Sequence, residues 1–200
     1  QRDHVAFDGY TYDKDECCTV INQFYGTADN RYFNKYDFFI NEHDKESFDI
    51  IVMCNVLHEI NPAEWIELFQ SSGKLSSLLK PNGHLLIVED TLMPNGEKAH
   101  QHGFLVFDKA QIKDLFSITA RDTDFLVSDA RGDGRLKAYL IPKRLITNIS
   151  ADNRKRALEG LSSQAKRQIT ELRAKEASYK NGQLLGFWLQ QFANSQLGLG

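Results

Sequence analysis

No apolar run in this sequence approaches the roughly 20 residues that a membrane-spanning helix needs. The opening residues, QRDHVAFDGY, lack the apolar core of a secretory signal. Cysteine is scarce: Cys17, Cys18 and Cys54 are the three present, none in Cys-x-x-Cys spacing, which argues against a disulfide framework and a zinc site. A reducing, cytoplasmic setting is the expectation. There is no Gly-x-Ser-x-Gly elbow to mark a serine hydrolase, no internal repeat and no low-complexity segment.

The 200 residues are 42% hydrophobic and 26% charged, which suits a folded domain with an appendage. The net charge of −3 is unevenly spread: residues 142–180 carry +6 and the remainder −9. A basic helix could grip nucleic acid or an acidic partner. No aromatic residues interleave the charges, so the solvated face of a surface helix is the favoured reading.

The richest stretch is residues 47–90, SFDIIVMCNVLHEINPAEWIELFQSSGKLSSLLKPNGHLLIVED. Its first apolar run, around Ile50, is a strand of β-formers with hardly a polar residue, as expected of a central parallel strand covered on both faces. Asn61-Pro62-Ala63-Glu64 is a helix start, with Asn as cap and Pro at the first helical position. Trp65, Leu68, Phe69, Leu75, Leu78 and Leu79 extend an apolar stripe, so the helix is expected to stop just before Pro81. Asn82-Gly83 then turns the chain into a second strand over residues 85–88. Strand, crossover helix and strand make a parallel pair, and ligands of such sheets bind beyond the carboxyl ends of the strands.

Elsewhere the pattern predicts strands over residues 5–12 and 31–39, with a helix over 14–25 between them. A short helix is expected over 108–116. Residues 123–128 and 136–141, joined by Arg131-Gly132-Asp133-Gly134, read as an antiparallel hairpin. Beyond residue 150 the pattern turns helical, with Ser150 or Asp152 as cap and a first helix to about residue 175. Asn181-Gly182 should break it, and a very apolar helix over 183–197 must bury a face on the sheet domain, on another subunit or on a partner protein.

Phe48-Asp49, Val56-Leu57-His58, Leu79-Lys80-Pro81, Gly83 and residues 85–89 resemble the fourth and fifth strands of class I S-adenosylmethionine-dependent methyltransferases. The resemblance covers roughly residues 5–141. It implies an α/β, Rossmann-like three-layer sandwich whose mostly parallel sheet ends in an antiparallel hairpin. To this the pattern adds the C-terminal helical hairpin, dividing the chain into a domain of residues 1–145 and an extension of 146–200. The family's glycine-rich turn, often VLDxGxGxG, has no counterpart in the sequence. In the family's order residues 5–12 are the second strand, so the expectation is a fragment whose first strand and helix precede Gln1.

By the same resemblance Asp13, with Asp15 as the neighbouring choice, would bind the ribose hydroxyls of S-adenosylmethionine. Asp37 would accept from the adenine amino group while Phe38 packs on the ring. Asn55 would lie near the methionine end or the methyl acceptor. His58 is the candidate general base, since an imidazole is the side chain best suited to take a proton from a hydroxyl or amine, or else it lines the pocket. Glu89 and Asp90 end a strand and are expected to point into one crevice, orienting the acceptor. His100 and His102 are too weak a pair to assign a metal. The Asn/Asp-Pro-Pro-Tyr/Phe signature of amino-methylating DNA enzymes is absent. The function expected is methyl transfer to an oxygen or nitrogen of a small molecule. A non-catalytic interaction module is the alternative, and a nucleic-acid methyltransferase is less favoured.

Overall fold

The computed structural model describes residues 43–91, 104–129 and 132–200, together with residues 6, 7, 19, 20, 23, 32, 33, 39 and 41. The chain divides into two compact units at Ser47/Phe48. In the first unit, β1 (Ala6–Phe7) pairs in parallel with β2 (Tyr32–Phe33), each inside a segment predicted as a strand. Thr19, Val20 and Gln23 are helical, within the helix expected over 14–25.

The second unit is built on a four-stranded sheet whose strands lie in the order Phe48–Cys54, Leu79–Asp90, Leu136–Pro142, Leu126–Asp129. Strand β3 (Phe48–Cys54) runs parallel to β4 (Leu79–Asp90). Strands β5 (Leu126–Asp129) and β6 (Leu136–Pro142) form the antiparallel hairpin, with β6 set antiparallel against β4. The sheet is therefore mixed, with one parallel pair.

The crossover differs from its expected form. Asn61 caps as predicted, its side-chain oxygen accepting from Ala63 N at 3.0 Å, but a 3₁₀ turn (Pro62–Glu64) precedes a helix α1 of only five residues, Trp65–Phe69. Ser71-Ser72-Gly73 are poor helix formers, and the Ser76 hydroxyl donates to Gln70 O, closing a compact turn in place of further helix. Strand β4 then begins at Leu79, earlier than expected. Phe48 pairs with Leu79 and Ile50 with His84, so Lys80-Pro81-Asn82-Gly83 bulge out of the ladder. A bulge accommodates a proline that a regular ladder would not.

Among the described residues, the apolar run of β3 is buried on one face only. Within the described sheet β3 pairs only with β4, and Ile50 and Val52 are 45% and 55% exposed. The opposite face is the inner one: Met53, Leu85, Ile87, Tyr139 and Ile141 are buried there. They join a single apolar cluster with Ile112, Leu115 and Phe116 of α2 (Lys109–Phe116) and with Ala157, Leu158 and Leu161. Each large side chain so buried contributes roughly 1.5–3 kcal/mol. Trp65 meets Phe107 edge-on, and Phe69 meets Phe116 likewise, which fastens the short crossover helix.

A four-residue helix α3 (Lys143–Ile146) links β6 to the C-terminal helical hairpin. There α4 (Ala151–Arg173) is capped by Ser150, whose hydroxyl accepts from Asn153 N. The break falls at residues 174–178 rather than at Asn181-Gly182. Helix α5 (Tyr179–Leu199) is capped by Ser178 and takes Asn181 and Gly182 into its first turn. Ser is a strong N-cap, and near a helix start the weak propensity of Asn-Gly costs little. The hairpin belongs to the same compact unit as the four-stranded sheet.

Candidate functional site

Strands β3 and β4 end side by side. Asn55 follows β3 with a left-handed backbone (φ 53°), its N–H donating to Val88 O at 2.8 Å. Its side-chain oxygen accepts from Asp90 N at 2.9 Å. Asparagine tolerates this backbone region better than most residues, so it both turns the chain off β3 and pins the two strand ends together.

The turn places residues 57–59 in a 3₁₀ helix beneath the strand ends. His58 and Glu89 are each 2% exposed, and Glu89 Oε2 lies 2.5 Å from His58 Nδ1. Glu89 Oε1 accepts from Leu57 N at 2.9 Å. One carboxylate thus holds both the backbone and the ring of neighbouring residues, the arrangement by which a carboxylate fixes an imidazole's orientation. Phe104 meets the imidazole edge-on at 5.1 Å, and Leu105 N donates to His58 O at 3.2 Å. On the other side of the ring, Nε2 lies 4.0 Å from the exposed carboxylate of Glu59.

Glu89 and Asp90 do not share a crevice. Consecutive strand residues point to opposite faces. Glu89 turns inward to His58, whereas Asp90 bonds the Arg135 guanidinium through Nε, at 3.0 and 2.9 Å, and Nη2, at 2.8 Å. Asp90 in turn holds Arg135 more firmly protonated.

A second polar group adjoins the pair. Lys137, opposite Glu89 in the ladder, donates to Asp108 Oδ1 at 2.6 Å, and the buried Tyr139 hydroxyl donates to the same oxygen at 3.3 Å. Asp108 also caps α2, accepting from Lys109 N in a capping box completed by Gln111. Burial pushes the Asp108 carboxyl up, but the bonds from Lys137, Lys109 N and Tyr139 outweigh it and hold the group below its ordinary value. Burial, and then the Asp108 carboxylate, push the Tyr139 phenol up. The sequence signal for this group was the alternation in β6, which sets Lys137 and Tyr139 on the inner face, where apolar residues would be expected.

Of the residues the sequence nominated, His58 and Glu89 come together, Asn55 closes the strand ends above them, and Asp90 belongs to a separate ion pair. Asp13, Asp15, Asp37, Phe38, His100 and His102 lie outside the described residues. The apolar helix of residues 183–197 packs on α4 with Phe187 buried, leaving Leu189 and Leu197 exposed. Along α4, Lys155, Arg156, Lys166, Arg167 and Arg173 are exposed. No helix among the described residues is long and apolar enough to cross a membrane. The chain matches no family model and no curated protein with which it was compared.

Proposed function

We propose that this chain carries a methyl-transfer domain that uses S-adenosylmethionine and acts on an oxygen or nitrogen nucleophile of a small molecule, within a Rossmann-like sandwich. The observation that carries the reading is the buried Glu89–His58 pair at the carboxyl ends of two parallel strands. The hairpin that follows β4, with one strand antiparallel to it, agrees with the resemblance read from the sequence. Asn55 supports the reading: it pins the strand ends together, and ligands of α/β sheets bind beyond such ends. Asn55 would hold its methionine end, and Asp13, Asp37 and Phe38, by resemblance, the ribose and adenine.

Bound there, S-adenosylmethionine would supply an already activated methyl group. The chain's own task is to align the acceptor, exclude water and take a proton. Glu89 fixes the ring at Nδ1, so Nε2 is the atom that would accept the acceptor's proton, and Glu89 stabilises the imidazolium that forms. A carboxylate–imidazole pair serves this role well because the charge it gains is already balanced.

A second reading, a non-catalytic interaction module, is favoured by Ile50 and Val52, apolar and exposed on the outer strand of the described sheet. Calorimetric titration of the full-length protein with S-adenosylmethionine and S-adenosylhomocysteine separates the two. Saturable binding weakened by Asp37→Ala, followed by turnover lost in His58→Gln on an acceptor panel, supports the enzyme. No binding of either compound sinks it and leaves the interaction module.

A further inference from the structure

We infer that the C-terminal helix α5 positions the His58–Glu89 pair, and that Gln191 is the positioning residue through which it acts. Gln191 is buried, and its amide makes both bonds of a strand-like clamp. Its Oε1 accepts from Val106 N at 2.9 Å, and its Nε2 donates to Phe104 O at 3.1 Å. Asn194, three residues on and so on the same helix face, donates from Nδ2 to Phe104 O at 2.9 Å.

Between the two clamped residues, Leu105 turns its N–H the other way and donates it to His58 O at 3.2 Å. In extended backbone successive N–H groups alternate in direction, so one three-residue segment has α5 on one side and His58 on the other. The Phe104 ring, anchored by the same clamp, lies edge-on to the imidazole at 5.1 Å. Moving the segment would therefore move both the backbone partner and the aromatic wall of His58.

Packing alone does not account for these side chains. A buried amide is costly unless its donors and acceptor are used, and here they serve the backbone groups of Phe104 and Val106, which an apolar residue would leave without these bonds. Two other polar bonds of this region, Gln196 to Ser162 at 2.8 Å and Gln111 to Gln164 at 2.8 Å, tie helix to helix and do not touch residues 104–106. Among the described residues, the acids facing His58 include Glu89 on β4 and Glu59 on its own turn.

As a statement about catalysis the inference rests on the methyl-transfer reading, so its test begins with readouts that need no turnover. Amide hydrogen exchange and the His58 ring resonances are followed by NMR in the full-length protein, in Gln191→Met, Asn194→Ala and Gln196→Ala. Gln191→Met should speed exchange at Leu105 and Val106 about tenfold beyond the change at β4 amides, and shift the His58 resonances. Asn194→Ala, which loses one bond, should do the same by about threefold, and it decides the matter if Gln191→Met does not fold. Gln196→Ala should leave both readouts in place. Unchanged readouts in the folded clamp variants, or equal changes in Gln196→Ala, overturn the clamp.

Where methyl transfer is measurable, kcat should fall about tenfold in Gln191→Met with KM for the methyl donor kept. An unaltered kcat beside altered exchange overturns the positioning role. Absence of turnover in the unaltered protein counts against the methyl-transfer reading alone, since the exchange data stand without it.

Discussion

Glu89 grips His58 at Nδ1 with one carboxylate oxygen and the backbone N–H of Leu57 with the other, so the residue that orients the imidazole also fixes the turn that carries it. Both side chains are out of water, and the cost of burying a carboxylate is offset only while these bonds are made.

Truncating the pair should therefore be more damaging than neutralising it. Glu89→Gln keeps the shape and loses the charge, and should cost about 1.5–3 kcal/mol. Glu89→Ala, which leaves Leu57 N and the ring unmatched in the interior, should cost about 3–5 kcal/mol. Urea unfolding of both variants measures the order. If the two lose the same amount, the paired geometry is not what stabilises this turn.

Tyr139 predicts an alkaline effect. Its phenol is raised above the ordinary value of 10.0, first by burial and then by Asp108. As pH climbs, the unfolded chain releases this proton before the folded one. The stability it contributes is whole below about pH 10 and is lost above it. Tyr139→Phe should cost about 0.5–1.5 kcal/mol at neutral pH and flatten this alkaline decline. Unfolding midpoints of the two proteins between about pH 8 and about pH 11 should converge as pH rises; parallel curves would count against the assignment.

Asp108 acts at the other end of the scale. Its folded value is held below 3.8, so its contribution is present above the unfolded value and lost as pH falls below it. Asp108→Asn keeps a cap on α2 but gives up the charge facing Lys137, and should flatten the acid limb of the stability curve. Asp108→Ala should lose about 1 kcal/mol more, because α2 then has no side-chain cap. Acid titration of unfolding for the three proteins checks both.

Two glycines should respond in opposite directions. A Cβ on Gly73 would meet Leu68 O at 2.5 Å and Gln70 O at 2.8 Å, both backbone atoms that no rotamer change can clear. Gly73→Ala should therefore destabilise by about 1–3 kcal/mol. A Cβ on Gly182 meets nothing within 4 Å, in the first turn of α5. Gly182→Ala should stabilise by about 0.5–1 kcal/mol. Thermal unfolding reads both, and a loss in Gly182→Ala would mean that α5 does not start at Ser178.

Much of the secondary structure was legible because its signals are local. Asn61, Asp108 and Ser150 cap where their side chains suit the backbone, and the hairpin of β5 and β6 follows from two β-rich runs around a glycine turn. The stop of α1 at Phe69 was not legible, because the apolar stripe continues past it in the sequence while the chain turns at Gly73. Nor was the exposed side of β3: an apolar run records what could be buried, not which neighbour covers it.

His58 and Glu89 could both be named from the sequence, yet Asp90 stood equal with Glu89 until the pleat of β4 sent the two to opposite faces. Gln191 and Asn194 carried no signal at all, since an amide in an apolar helix acquires meaning only from the backbone it meets. Caps and the glycine-turned hairpin could be read from residues close in the chain, because their interactions span only a few positions. Which side chains share a site was beyond the reach of sequence, because pairs such as His58 with Glu89 and Gln191 with Val106 are joined by the packing of distant segments.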